Sequence, residues 1–166
     1  MKRTTLALTG LFSLMLGAQA LAQEPVVGVA DPESLFTDTD PKLHANKQVA
    51  LRIMRELLQC NHWSDAGNWL TDRYLQHNPN VGSGLAPVIA FFTATRERTE
   101  TCDELTTPIV AVLAEDDYVT VVLPRTYEHP VTGQPYTTTW FDMWRFVDGK
   151  ADEHWDPATI APPTAE

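Results

Sequence analysis

The residues best able to do chemistry sit near the carboxyl end. They lie in the run Trp140-Phe141-Asp142-Met143-Trp144-Arg145-Phe146-Val147-Asp148-Gly149-Lys150-Ala151-Asp152-Glu153-His154-Trp155-Asp156. Asp142 stands between two tryptophans, and burying an unpaired carboxylate is costly. It therefore either holds the structure together or moves protons in a pocket. His154, on the following segment, is its natural partner. In such a pair the carboxylate orients the imidazole and stabilises its charged form, which serves structure and acid–base catalysis alike. A second cluster, Tyr74-Leu75-Gln76-His77-Asn78-Pro79, lies upstream. His77 carries an imidazole able to donate or accept a proton near neutrality; its structural alternative is to fix the turn before the next helix. Tyr74 and Asn78 can hydrogen-bond a substrate carbonyl or enolate as charge develops, or cap that turn.

These groups must be positioned by a hairpin. Asp148-Gly149 is a turn signal between two strands. A two-residue loop pairs Val147 with Lys150 and Asp142 with Trp155. A three-residue loop with Gly149 as the left-handed bulge residue sets Asp142 opposite His154, Trp140 opposite Asp156 and Trp144 opposite Asp152. The second register is preferred because it gives the carboxylate a hydrogen-bonding partner. Two-residue alternation puts Tyr136, Trp140, Asp142, Trp144 and Phe146 on one face, with Phe141, Met143, Arg145 and Val147 on the other. Both faces are largely apolar. Either one lines a cavity and the other meets a second subunit, or both are buried within one chain. Arg145, away from Asp142, reads as a surface or interface ion pair, and Asp156 either shares the pocket mouth with Trp140 or ends its strand.

Upstream, an apolar stripe of Val49, Ile53, Met54, Leu57 and Leu58 predicts a helix from Pro41 to Gln59. A short helix is expected from Ser64 as N-cap, carrying Ala66, Trp69 and Leu70. Tyr74 to Pro79 reads as an extended turn. A third helix runs from Leu85 to Arg98 with Leu85, Ile89 and Phe92 buried. Strands are expected at Pro108–Leu113, Tyr118–Tyr127, Tyr136–Val147 and Ala151–Asp156. Helices followed by an antiparallel meander argue an α+β domain with helices on one face of a curved sheet.

The first residues have the form of a secretory signal: Lys2 and Arg3, an apolar stretch from Leu6 to Ala18, and a small-x-small site at Ala20-Leu21-Ala22. Residues 1–22 are thus expected to be removed. Residues 23–41 would form a flexible arm, 42–157 the domain and 158–166 a flexible tail. The mature protein is expected in the periplasm or outside the cell, with no membrane association after cleavage. Removing Lys2 and Arg3 takes the formal charge from −10 to −12, a poor balance for binding nucleic acid or anionic lipid. Cys60 and Cys102 are the only cysteines, and in an oxidising compartment an even pair suggests a disulfide; two separate buried thiols are the alternative. The five histidines never fall at close metal-ligand spacing, so no metal site is expected. No nucleophile elbow or phosphate loop is present.

The upstream cluster, followed by Gly84 and a helix with Phe91-Phe92, resembles the signature of the SnoaL-like polyketide cyclases of the nuclear transport factor 2-like superfamily. The closing hairpin, Asp142 to Asp156, resembles the same family, and the likeness covers roughly residues 46 to 156. It implies a cone: a strongly curved antiparallel sheet wrapped around N-terminal helices, with a pocket open at one end. It further implies cofactor-free proton-transfer chemistry on a small apolar molecule and a homodimer through the outer sheet face. The family's motif positions fall on Tyr74, His77, Asn78, Asp142, Arg145, His154 and Asp156. Two functions follow as expectations. One is an acid–base enzyme (aldol-type cyclase, isomerase or dehydratase), with His77, Asp142 and His154 catalytic and Tyr74, Asn78, Trp140, Trp144 and Asp156 binding substrate. The other is a non-catalytic small-ligand-binding or dimerisation module of the same fold, whose pocket holds an apolar metabolite or is filled by its own side chains; a plug of Trp140 or Trp144 would favour it.

Overall fold

A computed structural model describes residues 23–160. The proposed signal and the last six residues of the tail lie outside them. The first helix, α1 (Pro41–Arg52), starts where the Asp40 carboxylate accepts from the backbone N–H groups of Lys42 and Leu43, with Pro41 in the first turn. These are the orphan donors a helix start leaves open. The expected single helix to Gln59 instead widens into a π-helical segment at Ile53–Gln59. Its added residue per turn alters which side chains face inward, and Ile53, Met54 and Leu57 are buried. The short helix expected from Ser64 is a 3-10 turn at Trp63–Asn68, started by His62 rather than Ser64. Trp69 and Leu70 fall beyond it.

Leu70–Gln76 is a strand, β1, not a helix end and turn. Helix α2 spans Leu85–Thr93 and stops short of Arg98; its fully buried residue is Val88, with Leu85, Ile89 and Phe92 half-buried. Strands β2 (Ala111–Glu115), β3 (Tyr118–Glu128), β4 (Pro135–Val147) and β5 (Lys150–Trp155) form the meander. The sheet has five strands in the order β1-β5-β4-β3-β2. All neighbours are antiparallel except β1, which pairs in parallel with β5. The expected α+β class is observed, with an open sheet wrapped on N-terminal helices. Alternation along β4 is as read: Asp142, Trp144 and Phe146 are buried, while Phe141 and Val147 are exposed.

The β4–β5 register corrects both readings of the hairpin. Asp148 and Gly149 adopt φ of 49° and 77°, the left-handed pair of a two-residue turn, and Val147 pairs with Lys150. A bulge then leaves Asp152 unpaired: Phe146 lies opposite Ala151, but Arg145 lies opposite Glu153. His154 is therefore opposite Trp144, not Asp142. Asp152 is buried at 4 % exposure. Its carboxylate accepts from Thr71 Oγ1 at 2.8 Å and from Arg73 Nε at 2.9 and 3.0 Å, and Arg145 closes on it at 2.6 Å. Its pKa is lowered, chiefly by the Arg73 hydrogen bond.

Cys60 and Cys102 form the expected disulfide, 42 residues apart in sequence. Closing such a loop stabilises by about 4 kcal/mol on the chain-entropy account. The segment expected as a flexible arm makes specific contacts. Phe36 is fully buried in the core, Val29 donates to the Ile109 carbonyl, and Glu33 bonds Arg55 at 2.9 Å.

Asp152→Ala is expected to cost about 2–3 kcal/mol in urea unfolding, less than a fully buried pair because Arg73 is largely exposed. A carboxylate with a depressed native pKa stabilises above its unfolded pKa and loses that contribution as pH falls through the native one. Wild-type stability should therefore fall below about pH 4, and the difference between wild type and variant should shrink over the same range.

Candidate active site

The inner faces of β3 and β4, the end of β5, the end of β1, the π segment and the region from the end of α2 line a cavity of about 440 Å³. Tyr74, Gln76 and Asn78 reach it from β1 and its extension at two-residue spacing, as alternate residues of a strand must. Trp140, Asp142 and Trp144 line it from β4, and His154 and Asp156 from β5 onward. Neither tryptophan fills it.

Asp142 and His154 meet, although not as directly opposed residues. The bulge places His154 beside Trp144, and its Nε2 lies 3.2 Å from Asp142 Oδ1 along the diagonal. Both side chains are less than a tenth exposed. Trp140 donates its indole N–H to the same Asp142 oxygen at 3.1 Å. Trp144 donates to the Tyr74 hydroxyl at 3.0 Å, and burial pushes the Tyr74 hydroxyl pKa up, so Tyr74 keeps its proton as a donor. Asn78 donates to Asp156 Oδ2 at 2.8 Å, and the Ala158 N–H donates to Asp156 Oδ1 at 2.9 Å.

Gln76 was missed by sequence reading, yet it decides the protonation of the site. Its Oε1 accepts the backbone N–H of Asn78 at 3.2 Å and faces His154 Nδ1 at 2.7 Å. A backbone N–H can only donate, so the atom it meets is the amide oxygen, and His154 Nδ1 must then carry its proton. In a neutral imidazole the lone pair is left on Nε2, facing the Asp142 carboxylate. Two lone pairs cannot bond, so a proton is shared between Nε2 and Asp142. The signal for Gln76 was the two-residue spacing between Tyr74 and Asn78, readable once the segment is taken as a strand.

His77 is not brought to the pocket. One position past Gln76 it points outward, stacks on Trp155 at 5.0 Å and bonds Glu153 at 2.9 Å. That bond is the chief cause of the lowered Glu153 pKa. Alternation excludes His77 from the site for the same reason that it admits Gln76. Arg145, also on the outer face, bonds Asp152 and Glu153.

Among the described residues, the adjacent strands β4 and β5 bring together one group of possible metal ligands: ligand atoms of Asp142, His154 and Asp156 lie within 4.8 Å of one another. A divalent ion would have to compete with existing hydrogen bonds, since three of the four carboxylate oxygens already accept one. The set fits a shared proton better than a cation.

A small cone-shaped α+β domain whose pocket holds a cluster of polar side chains among aromatic and aliphatic ones is the class defined by fold and site. The sequence profile of the SnoaL-like domain matches residues 51–154, and the chain belongs to that family within the nuclear transport factor 2-like superfamily. A protein assigned as a SnoaL-like polyketide cyclase from Jannaschia sp. CCS1 is similar in structure: 19 % identity, covering 73 % of this chain and 91 % of that one, with a TM-score of 0.51. A protein assigned as a polyketide cyclase from Acidithiobacillus ferrooxidans is similar at 15 % identity, covering 72 % and 89 %, with a TM-score of 0.50. At these identities the likeness is one of fold. No curated protein matches the chain by sequence.

Nitrogen-15 NMR of the imidazoles should show His154 protonated at Nδ1. Gln76→Leu removes the acceptor, so the proton should redistribute toward Nε2, while the His77 signals stay in place. An unchanged His154 pattern would show that Gln76 does not set the tautomer.

Proposed function

We propose that this protein is an exported acid–base enzyme that moves a proton on a small carbonyl compound, as an isomerase, dehydratase or aldol-type cyclase. The observation that carries the reading is the Asp142–His154 pair at 3.2 Å, buried in a cavity of about 440 Å³. Asp142 Oδ1 is bound by Trp140 and His154, and its second oxygen is the one available to a substrate. That oxygen takes a proton from the carbon beside the carbonyl, whose oxygen accepts the Tyr74 O–H as negative charge develops there. His154 Nε2, sharing a proton with Oδ1, orients the Asp142 carboxylate until the substrate proton arrives. Return of the same proton to a different carbon completes an isomerisation with atoms and charge balanced. Asn78 and Asp156 flank the reacting atoms. An open cavity with converging polar side chains supports this reading over a non-catalytic module.

The disulfide supports an oxidising compartment, and with it the periplasmic or secreted location that the amino-terminal signal suggests. The outer sheet face supports a homodimer. Leu113 is 63 % and Phe141 46 % exposed there, beside Val122 and Met143 on the same side of the pleat.

Conversion of a β,γ-unsaturated cyclic ketone to its conjugated isomer, followed by ultraviolet absorbance, tests the chemistry. Asp142→Asn and His154→Gln should each lower the rate about 10²–10⁴-fold, with His77→Gln close to wild type. Loss of activity only in the His77 variant would refute the assignment. Sedimentation should show a wild-type dimer that Phe141→Glu converts to monomer; a monomeric wild type would remove the dimer from the proposal.

A further inference from the structure

Among the described residues, Arg52, Arg55, Arg73, Arg98 and Arg145 each form an ion pair with a carboxylate. The remaining two arginines, Arg96 and Arg125, form none, and both line the cavity. In a chain of net charge −10, carboxylates are plentiful, so arginines left without one at a pocket rim stand out. Arg125 follows Val121 and Leu123 on the inner face of β3 and pairs with Thr138, so alternation aims it into the cone. Its guanidinium lies over the Trp140 ring at 4.9 Å. Stacking uses the face of the guanidinium and leaves the N–H edge free for an anion. Arg96 donates one N–H to the Leu58 carbonyl. That bond anchors it at the rim and leaves most of its donor fork open.

We propose that Arg96 and Arg125 form an anion site at the pocket mouth, so that the ligand is a small apolar molecule bearing an acidic group of the carboxylate class. The proposal rests on the acid–base reading of the inner end and names the substrate class for it. Charge orients the ligand. Asp142 and Asp156 repel an anion from the inner end, and the two arginines attract it to the rim. The apolar body then spans Leu123, Trp140 and Met54, and the uncharged, reacting end meets Asp142 and Tyr74.

Two fluorescent probes with one aromatic scaffold test this: anilinonaphthalene sulfonate and its uncharged counterpart, N-phenylnaphthylamine. The wild-type protein should bind the sulfonate about tenfold more tightly, with the preference falling as salt rises. The Arg96→Gln/Arg125→Gln double variant should lose the preference while binding the neutral probe as before, which also shows that the pocket is intact. The Arg96→Lys/Arg125→Lys variant should keep much of it. Equal binding of the two probes by wild type, a preference that survives in the glutamine variant, or no binding of either probe would overturn the proposal. Equal binding with isomerase activity still dependent on Asp142 would mean a neutral substrate and leave the acid–base reading standing. A lost preference in the glutamine variant without any isomerase activity would mean an anion-binding pocket and sink the acid–base reading instead.

Discussion

The site depends on one buried carboxylate that does not touch it. Asp152 is the extra residue of the β5 bulge, held by Arg73, Arg145 and Thr71. A regular ladder continued from the two-residue turn would pair Asp142 with Trp155 and put His154 on the outer face, because side chains alternate with period two. The unpaired Asp152 shifts everything beyond it by one residue. His154 turns inward beside Trp144, and Asp156 reaches the cavity. A buried charge is tolerated when it is paired and hydrogen-bonded, and Asp152 meets that condition from two strands at once. The same contacts tie β1 to β5 at the point where the β1 ladder is itself irregular between Leu70 and Leu75.

Fixing β1 in turn fixes Gln76. Gln76 pairs with His154 across the parallel β1–β5 ladder, and its amide oxygen meets the imidazole. Outer-face ion pairing and inner-face proton placement are thus coupled through two adjacent residues on each strand. The charged groups divide by face. Arg73, Arg145, Asp152, Glu153 and His77 form one linked set outside, while Asp142, His154 and Asp156 face the cavity with Arg96 and Arg125.

Much of this was legible in the sequence. The inward set on β4, the pairing of Asp142 with His154 as chemical partners, the disulfide and the α+β class follow from alternation, residue chemistry, cysteine count and the order of elements. What escaped has a physical pattern. Leu70 to Gln76 contains Thr71, Asp72 and Arg73, a polar run without strand alternation, and the partner of Thr71 and Arg73, Asp152, is distant in sequence. With β1 unrecognised, Gln76 is passed over and His77 is placed in the site. The register failed for a related reason: no local signal marks a bulge stabilised by side chains from another strand. The Asp142–His154 contact emerged from a mistaken register because a carboxylate and an imidazole can meet along a diagonal as well as directly across.

The π segment contributes the remaining constraint. Unwinding of α1 after Arg52 places Ile53, Met54, Leu58 and Gln59 on the cavity wall opposite Trp140 and Asp142. An unbroken α-helix would repeat its stripe every 3.6 residues and commit it to the core. Widening by one residue per turn lets the same stretch serve two surfaces, with Leu57 fully buried and Leu58 at the pocket. Such segments are rare and recur at functional sites. Here the disulfide at Cys60 pins the end of the segment to the loop after α2, so the wall is held against relaxation to a regular helix. The pocket's shape therefore depends on a covalent bond on its helical side and on a buried ion-pair cluster on its sheet side.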